Sequence, residues 1–229
     1  MAKPTVVLVH GAFADGSSWG QVIPLIAEEG YQVVAVQNPL TSLADDVHAV
    51  YRVIDMHEGP ILLAGHSWGG AVITEAGNHP AVKALVYVAA GAPDNRQSFN
   101  DWWKGYPPAA GTAEMQPYGP DYVALTREGI RHFFVQDISL AEADFIYATQ
   151  APLAVRCFSD PVSHAAWRYK PAWYIVAEND QTISPAIQRD SAQRMRANTV
   201  MLDSGHVPML SQPSKVSQVI LGAARAIDF

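Results

Sequence analysis

Short runs of consecutive hydrophobic residues alternate along the chain with segments whose hydrophobic residues recur every three or four positions. The runs predict six β-strands, at Thr5–Val9, Gln32–Gln37, Pro60–Ala64, Ala84–Ala89, Ala172–Ala177 and Thr199–Asp203. Most of these runs are continuously apolar rather than alternating, which is typical of parallel strands that helices cover on both faces. The pattern therefore predicts the α/β class, with a mostly parallel central sheet.

Two segments have the period of an amphipathic helix. Ser42 is a residue type that caps helices, and the hydrophobic positions after it fall on one helical face. These positions are Leu43, Val47, Val50 and Ile54. A second stripe follows Pro213 and consists of Val216, Val219, Ile220, Ala223 and Ile227. Strands that alternate with helices in this way indicate helices on both faces of the sheet.

Residues 94–170 interrupt this alternation. The segment contains the stretch DWWKGYPPAAGTAEMQPYGPDY and two short helix-like patches, but no run typical of a core strand and no exposed apolar helix. An irregular, aromatic-rich insertion predicts a small helical lid over a pocket, within a single domain of residues 1–229. The alternative is a helical decoration whose aromatic side chains only pack on the sheet. Candidate pocket residues, from the insertion and from two motifs outside it, are Phe13, Trp68, Trp102, Trp103, Phe133 and Trp167.

Composition and charge narrow the classes of partner. The chain of 229 residues has a formal net charge of −7 and no long run of Lys or Arg, so it lacks the basic patch of a nucleic-acid-binding protein. A single cysteine, Cys157, cannot form an internal disulfide and favours a reducing compartment. Without a signal-peptide core or a run of about 20 apolar residues, we expect a cytoplasmic protein with no membrane partner. The sequence gives no indication of the oligomeric state.

The motif GHSWGG follows the apolar run ILLA at the end of a predicted strand. A serine hydroxyl is a weak nucleophile, which must project from the scaffold and be paired with a base. A sharp strand-to-helix turn projects the serine, provided that the positions two before and two after it are small. Gly65 and Gly69 meet this need around Ser67, and Gly70 and Ala71 then allow the helix to pack closely on the sheet. The pattern indicates that Ser67 is a nucleophile.

A serine nucleophile on this kind of turn requires an acid and then a histidine, later in the chain. His206 lies in LDSGHVPML, between the last predicted strand and the last predicted helix, and is the candidate base. Asp180 follows the strand Ala172–Ala177, in the loop that should face the histidine loop, and is the candidate acid. Asp94, one strand earlier, is the competing candidate.

Backbone amides near the serine should stabilise an oxyanion. Trp68 offers one N–H, and the turn VHGAFADGSSW after the first strand offers the second, from Ala12 or Phe13. His10 and His66 lie next to these motifs, and we interpret them as bracing residues of the loops. The turn has neither of the glycine motifs that bind phosphate, and no cluster with metal-ligand spacing occurs, so neither a cofactor nor a metal is expected.

The motifs VLVHGAF, GHSWGG, ENDQTISP and GHVPMLSQP occur in this order, and with them the chain resembles the α/β-hydrolase superfamily along nearly its whole length. More narrowly, it is similar to the branch that holds plant methylesterases, hydroxynitrile lyases and small bacterial esterases. The resemblance implies a catalytic triad of Ser67, Asp180 and His206. It also implies an oxyanion hole made by the amides of Ala12 and Trp68, and a lid over the sheet.

Two positions depart from the lyases of that branch, which have a lysine directly after the catalytic histidine and a threonine in the first-strand turn. Val207 and Gly11 stand there, so the cation that would stabilise departing cyanide is missing. The sequence therefore predicts a cofactor-independent serine esterase for a small, largely apolar carboxylic ester. The alternatives are a lyase or carbon–carbon bond hydrolase with the same triad, and a non-catalytic, hydrolase-like protein that binds a small ligand.

Overall fold

The computed structural model describes residues 3–227 of the chain. The strands are β1 Thr5–Val9, β2 Val33–Val36, β3 Ile61–His66, β4 Val82–Val88, β5 Met115–Tyr118, β6 Tyr122–Leu125, β7 Leu153–Ala154, β8 Ala172–Ala177 and β9 Asn198–Leu202. The α-helices are α1 Val22–Glu28, α2 Leu43–Asp55, α3 Trp68–Ala76, α4 Phe99–Trp103, α5 Arg127–Gly129, α6 Leu140–Thr149, α7 Pro185–Met195, α8 Pro208–Ser211 and α9 Pro213–Ala226. Short 3-10 segments lie at Gly16–Trp19, Ala110–Glu114, Val155–Phe158 and Ala166–Arg168, and a π-helical segment at Ile130–Phe134 continues α5.

Six of the strands form one parallel sheet in the order β2-β1-β3-β4-β8-β9. Each of the six predicted runs forms one of these strands, with ends that differ by at most two residues. The inner strands β1 and β3 are buried along their whole length. Burial on both faces leaves no polar face, which is why these strands appear in the sequence as continuous apolar runs. The predicted α/β class and parallel sheet are confirmed.

The order of the strands creates a crevice at one end of the sheet. The chain passes from β1 to β2 on one side and then adds β3, β4, β8 and β9 on the other. Right-handed crossovers therefore place α1 on one face of the sheet and α2 and α3 on the opposite face. The turns after β1 and β3 leave toward opposite faces, although the ends of these strands are adjacent, with Val9 paired to Gly65. Ligands of α/β proteins bind in such a crevice.

The two helical stripes that the sequence predicts belong to α2 and α9. Ser42 caps α2 by accepting a hydrogen bond from the backbone N–H of Asp45 at 3.0 Å. The predicted stripe of α2 is buried at Leu43, Val47, Val50 and Ile54. The stripe of α9, which begins at Pro213, is buried at Val216, Ile220 and Ala223. Within residues 3–227, none of the helices combines the length and the hydropathy needed to cross a bilayer.

The insertion of residues 94–170 adds no strand to the central sheet, and beside its helical segments it has three short strands that the sequence did not predict. The strands β5, β6 and β7 form a separate antiparallel sheet in that order. They are only four, four and two residues long, and β5 is largely exposed, so no apolar run longer than the four residues of β6 marks them in the sequence. The helix α6 also exposes Leu140 (61%) and Phe145 (63%), contrary to the expectation that no apolar helix is exposed.

Gly69, in the first turn of α3, packs directly against the end of β1. A Cβ atom at this position would lie 2.5 Å from the carbonyl oxygen of Val9 and 2.8 Å from that of His10. We therefore expect Gly69→Ala to lower the free energy of unfolding by about 1–3 kcal/mol, seen as a lower Tm in calorimetry. The matched control is Gly222→Ala in α9, where a Cβ has no neighbour within 4 Å and should raise stability by about 0.5–1 kcal/mol. An unchanged Tm for Gly69→Ala would contradict this packing.

Candidate active site

Ser67 lies at the tip of the turn between β3 and α3, with φ of 53° and ψ of −120°. A positive φ is unfavourable for a residue with a Cβ, at a cost of about 1–3 kcal/mol. Hydrogen bonds hold the turn in place: the Ser67 amide donates to Val88 O at 3.2 Å, and the Ser67 carbonyl accepts from the amides of Gly70 and Gly91, both at 3.0 Å. The turn therefore presents the hydroxyl at the amino end of α3, in the crevice between β1 and β3.

The glycines of the GHSWGG motif are required by close backbone approach. A Cβ on Gly65 would lie 2.5 Å from the carbonyl oxygen of Gly69, and a Cβ on Gly70 would collide with the carbonyl oxygen of Gly91. In the turn after β1, a Cβ on Gly11 would lie 2.7 Å from the Cβ of Ser67. The sharp turn and its neighbour can therefore approach each other only because these positions have no side chain.

A chain of hydrogen bonds connects Ser67, His206 and Asp180. His206 Nε2 lies 2.9 Å from Ser67 Oγ, and His206 Nδ1 lies 2.7 Å from Asp180 Oδ2. The side chains of His206 and Asp180 are completely buried. With Nδ1–H donating to the carboxylate, Nε2 is unprotonated and accepts from the serine hydroxyl. The structure thus brings together the three residues singled out in the sequence, from the loops after β3, β8 and β9.

Four donors hold the carboxylate of Asp180. Its Oδ1 accepts from the backbone amides of Thr182 at 2.7 Å and Ile183 at 2.8 Å. Its Oδ2 accepts from Gln188 Nε2 at 2.7 Å, in addition to His206. Gln188, which is completely buried on α7, was missed in the sequence because no motif marks it. An environment made only of donors matches the accepting oxygens of this carboxylate and fixes its orientation.

Asp94, the competing candidate acid, is bound elsewhere. Its two carboxylate oxygens accept from the guanidinium of Arg168, Oδ1 from Nε at 2.6 Å and Oδ2 from Nη2 at 2.5 Å. The arginine side chain is half exposed, so this is a surface ion pair. In residues 3–227, the carboxylate that contacts His206 is that of Asp180 and not that of Asp94.

No three His, Cys, Asp or Glu side chains of the described chain are grouped so that they would hold a metal ion.

Three backbone amides beside Ser67 are free to bind a ligand oxygen. The N–H groups of Ala12, Phe13 and Trp68 donate no hydrogen bond to any group in residues 3–227. Trp68 begins α3, where the helix dipole adds positive potential. Phe13 has φ of 59°, which turns the chain after β1 back toward the serine. These amides are the ones that the sequence predicted for an oxyanion hole.

Two buried histidines brace the loops of the site. His10 Nδ1 donates to the carbonyl of Gly11 at 2.8 Å, and its Nε2 accepts from the amide of Asn38 at 2.9 Å. His66 Nε2 donates to the carbonyl oxygen of His206 at 2.8 Å. Burial lowers the pKa of His10 and places the pKa of His66 well below the usual histidine value. Both rings are therefore neutral braces, one for the turn after β1 and one for the histidine loop.

A buried carboxylate from α2 holds the side chain that follows the serine. Trp68 Nε1 donates to Asp46 Oδ2 at 2.7 Å, and the amide of Leu40 donates to Asp46 Oδ1 at 2.8 Å. Asp46 is completely buried, and this burial raises its pKa to about 6 against the lowering effect of the two hydrogen bonds. In the sequence Asp46 was missed because it resembles an ordinary acidic residue of a first helical turn.

The raised pKa of Asp46 predicts a pH-dependent difference in stability. Since the carboxyl ionises at higher pH in the folded than in the unfolded chain, it destabilises the fold as the pH rises from about 4 to about 6. We expect Asp46→Asn, relative to wild type, to gain up to about 3 kcal/mol of unfolding free energy over this range, measured by urea unfolding. Asp45→Asn is the control with the opposite sign and a lower pH window: hydrogen bonds from Ser42 and Thr41 lower the pKa of Asp45, so its carboxylate stabilises the fold above about pH 4 and loses this effect below it. A difference that does not vary with pH would contradict the raised pKa.

A narrow cavity, here called the inner pocket, lies beside Ser67 and Trp68. Its volume is about 30 Å³, room for about two water molecules. Three of the predicted pocket residues line it, namely Phe13, Trp68 and Trp103. Apolar residues not predicted from the sequence complete its walls, among them Phe99, Met115, Leu125, Phe158 and Ile183. Past Trp103 and Met115 the inner pocket adjoins a wider cavity of about 380 Å³, here called the outer cleft.

The prediction that Trp102, Phe133 and Trp167 line the pocket is wrong for this cavity. The indole of Trp102 donates to Ser191 Oγ on α7 at 3.0 Å, and that of Trp167 donates to the carbonyl oxygen of Pro93 at 3.0 Å. Phe133 contributes its backbone carbonyl to the loop after β8. A buried indole needs a hydrogen-bond partner. Trp102 and Trp167 have their partners in the packed core, so their indoles do not face the inner pocket.

Comparison with known proteins shows likeness over almost the whole chain. Residues 6–219 match the alpha/beta hydrolase family. The pyrethroid hydrolase of Sphingobium wenxiniae is 27% identical over 99% of this chain and 89% of its own length. Methylesterase 3 of Arabidopsis thaliana is 23% identical over 97% of this chain and 96% of its own. The crystal structure of polyneuridine aldehyde esterase, 21% identical, superposes with a TM-score of 0.83 over 97% of this chain and 100% of that one.

Proposed function

The chain belongs to the alpha/beta hydrolase family, and we propose that within it the protein is a serine esterase for small, largely apolar carboxylic esters. The predicted resemblance to this family and to its methylesterases is confirmed. One observation carries the proposal: the continuous hydrogen-bond chain from Asp180 through His206 to Ser67, which ends beside three free amides.

In the proposed reaction, Ser67 Oγ attacks the ester carbonyl carbon while His206 Nε2 takes the hydroxyl proton. The oxyanion that forms accepts hydrogen bonds from the amide of Trp68 and from that of Ala12 or Phe13. When the intermediate collapses, the ester C–O bond breaks and His206 gives its proton to the departing alcohol. Water then attacks the acyl-enzyme with His206 as base, which releases the acid and restores Ser67.

Asp180 acts through His206. Its carboxylate holds Nδ1–H, which keeps the free lone pair of Nε2 directed at the serine, and it stabilises the imidazolium that forms during each proton transfer. The amides of Thr182 and Ile183 and the side chain of Gln188 hold this carboxylate in place. The base is therefore oriented before the substrate binds.

The surroundings of Ser67 support an apolar ester as substrate. The walls of the inner pocket are aromatic and aliphatic, with Phe99 and Phe158 close to Trp68 and Trp103. The relatives named methylesterase and polyneuridine aldehyde esterase support ester hydrolysis. The residue after His206 is Val207, a buried apolar side chain, which favours hydrolysis over the lyase alternative because no cation is available there.

A labelling and turnover experiment tests the proposal. We expect a fluorophosphonate to label Ser67 stoichiometrically, and aryl esters graded from acetyl to decanoyl to be hydrolysed fastest at short or medium acyl length. Each CH₂ buried in an apolar pocket contributes about 0.8 kcal/mol until the pocket is full. We also expect no activation by triglyceride emulsions. A protein that binds esters without labelling would be a binding protein, and cyanohydrin cleavage without ester hydrolysis would indicate a lyase.

A further inference from the structure

A second apolar cavity, here called the side cleft, has a volume of about 360 Å³ and no role in the steps above. It lies between the turn after β1, the helix α6 and the loop that leads into α8. Its walls include Phe13, Phe134, Ala141, Phe145, Val207 and Leu210. A volume of this size is within the range of about 300–1,000 Å³ that is typical of ligand pockets.

The side cleft lies on the histidine side of the site. The ring of Phe134 packs on the ring of His206 with centroids 5.2 Å apart, and it meets the ring of Phe13 edge-on at 6.3 Å. Val207 directly follows His206 and lines the same cleft. Phe13 lines both the side cleft and the inner pocket, so its ring stands between the two cavities.

The chemistry of ester cleavage assigns one substrate half to each side of Ser67. The alcohol oxygen must come within about 2.6–3.2 Å of His206 Nε2 to receive its proton, so the alcohol departs on the side of the histidine. Neither His206 nor Phe134 lines the inner pocket, which is formed by Trp68 and the aromatic residues of the insertion. The acyl half therefore fits the inner pocket, and the alcohol half is directed toward Phe134.

We propose that the side cleft binds the alcohol half of the ester, which reaches it past the ring of Phe13; this rests on the proposed esterase function. The walls are mostly apolar, and the polar residues among them include the acidic residues Asp15 and Glu142. These carboxylates disfavour an anionic group, so the alcohol is neutral and apolar, with a medium alkyl chain or an aryl group. The substrate class is thus an ester with a small acyl group and a bulkier apolar alcohol.

A pair of tryptophan substitutions on α6 tests the side cleft. Ala141 and Ala148 are both exposed on this helix, but only Ala141 lines the cleft. The substrates are acetate esters of alcohols from methanol to decanol, and methyl esters of acids of the same lengths. We expect Ala141→Trp to lower the ratio of kcat/KM for octyl acetate over methyl acetate at least tenfold. Ala148→Trp should leave that ratio at the wild-type value, and neither variant should change the order of the methyl esters.

Three results of the ester assays would overturn the inference while the esterase stands: an equal octyl-to-methyl ratio in Ala141→Trp and wild type, an equal loss in Ala148→Trp, or a shift in acyl rather than alcohol preference. Activation by a triglyceride emulsion that Ala141→Trp abolishes would also overturn the inference, and it would make the exposed Leu140 and Phe145 part of a lipid-binding surface.

Calorimetric titration of 1-octanol into Ser67→Ala, with and without Ala141→Trp, tests the cleft without turnover. Octanol should bind only when Ala141 is present, and equal binding would overturn the inference. Wild-type protein that hydrolyses neither ester series would overturn the proposed function itself.

Discussion

Replacement of Ser67 by alanine is expected to abolish ester hydrolysis, with a loss of at least ~10⁴-fold in kcat. The substitution removes the oxygen that would attack the carbonyl, together with its 2.9 Å contact to His206 Nε2. Alanine also has a Cβ, so the strained backbone of the turn is the same in both proteins. The measurement is hydrolysis of an aryl acetate, followed to the limit of the spontaneous rate.

The control for this experiment is Ser211→Ala in α8, whose hydroxyl has no hydrogen-bond partner in the described part of the chain. Both variants should unfold cooperatively, which circular dichroism and the thermal transition check. Residual activity of Ser67→Ala within tenfold of wild type would contradict a nucleophilic role. A loss of activity in Ser211→Ala of the same size would indicate a structural cause instead.

The exchange of Asp180 for asparagine should lower kcat by about 10³–10⁴-fold. The amide group that asparagine places near His206 Nδ1 favours the wrong imidazole tautomer, with the proton on Nε2 and no acceptor for the serine hydroxyl. In the wild type, Gln188 Nε2 donates to Asp180 Oδ2 at 2.7 Å. The NH₂ group of asparagine can also face this Gln188 donor, which leaves two donors opposite each other. The steady-state rate with an aryl ester, compared at several pH values, measures the effect.

Asp94→Asn is the matched control, since it makes the same chemical change at the competing position. It breaks a surface ion pair with Arg168, and such pairs contribute only about 0–1 kcal/mol. We therefore expect nearly wild-type kcat in Asp94→Asn. A crippled Asp94→Asn beside a mild Asp180→Asn would contradict the role proposed for Asp180.

Local patterns in the sequence determined the central sheet and the nucleophile turn. A buried parallel strand must be apolar at every position, and this demand leaves a run that can be recognised without knowing its neighbours. The turn around Ser67 has equally local demands, because the required glycines lie within three residues of the serine. The loop positions of His206 and Asp180 follow from the order of the strands, so they too could be predicted.

The choice between Asp180 and Asp94 depended on tertiary structure, because both follow strands of the sheet and only the packing of the loops decides which one contacts His206. The same holds for Gln188 and Asp46, which support the site from helices and have no motif of their own.

The aromatic residues of the insertion are the clearest case of what only the tertiary structure decided. Trp103 lines the inner pocket, whereas its neighbour Trp102 points into the core and bonds to Ser191 on α7. Adjacent residues of the same chemical type differ here only in the direction of their side chains. The small antiparallel sheet was hidden for a different reason, since its strands are only two to four residues long and β5 is largely exposed. The sequence alone therefore determined the features that depend on neighbouring residues, namely the strands of the central sheet and the turn around Ser67. Only the packing of distant segments decided which side chains meet at the site.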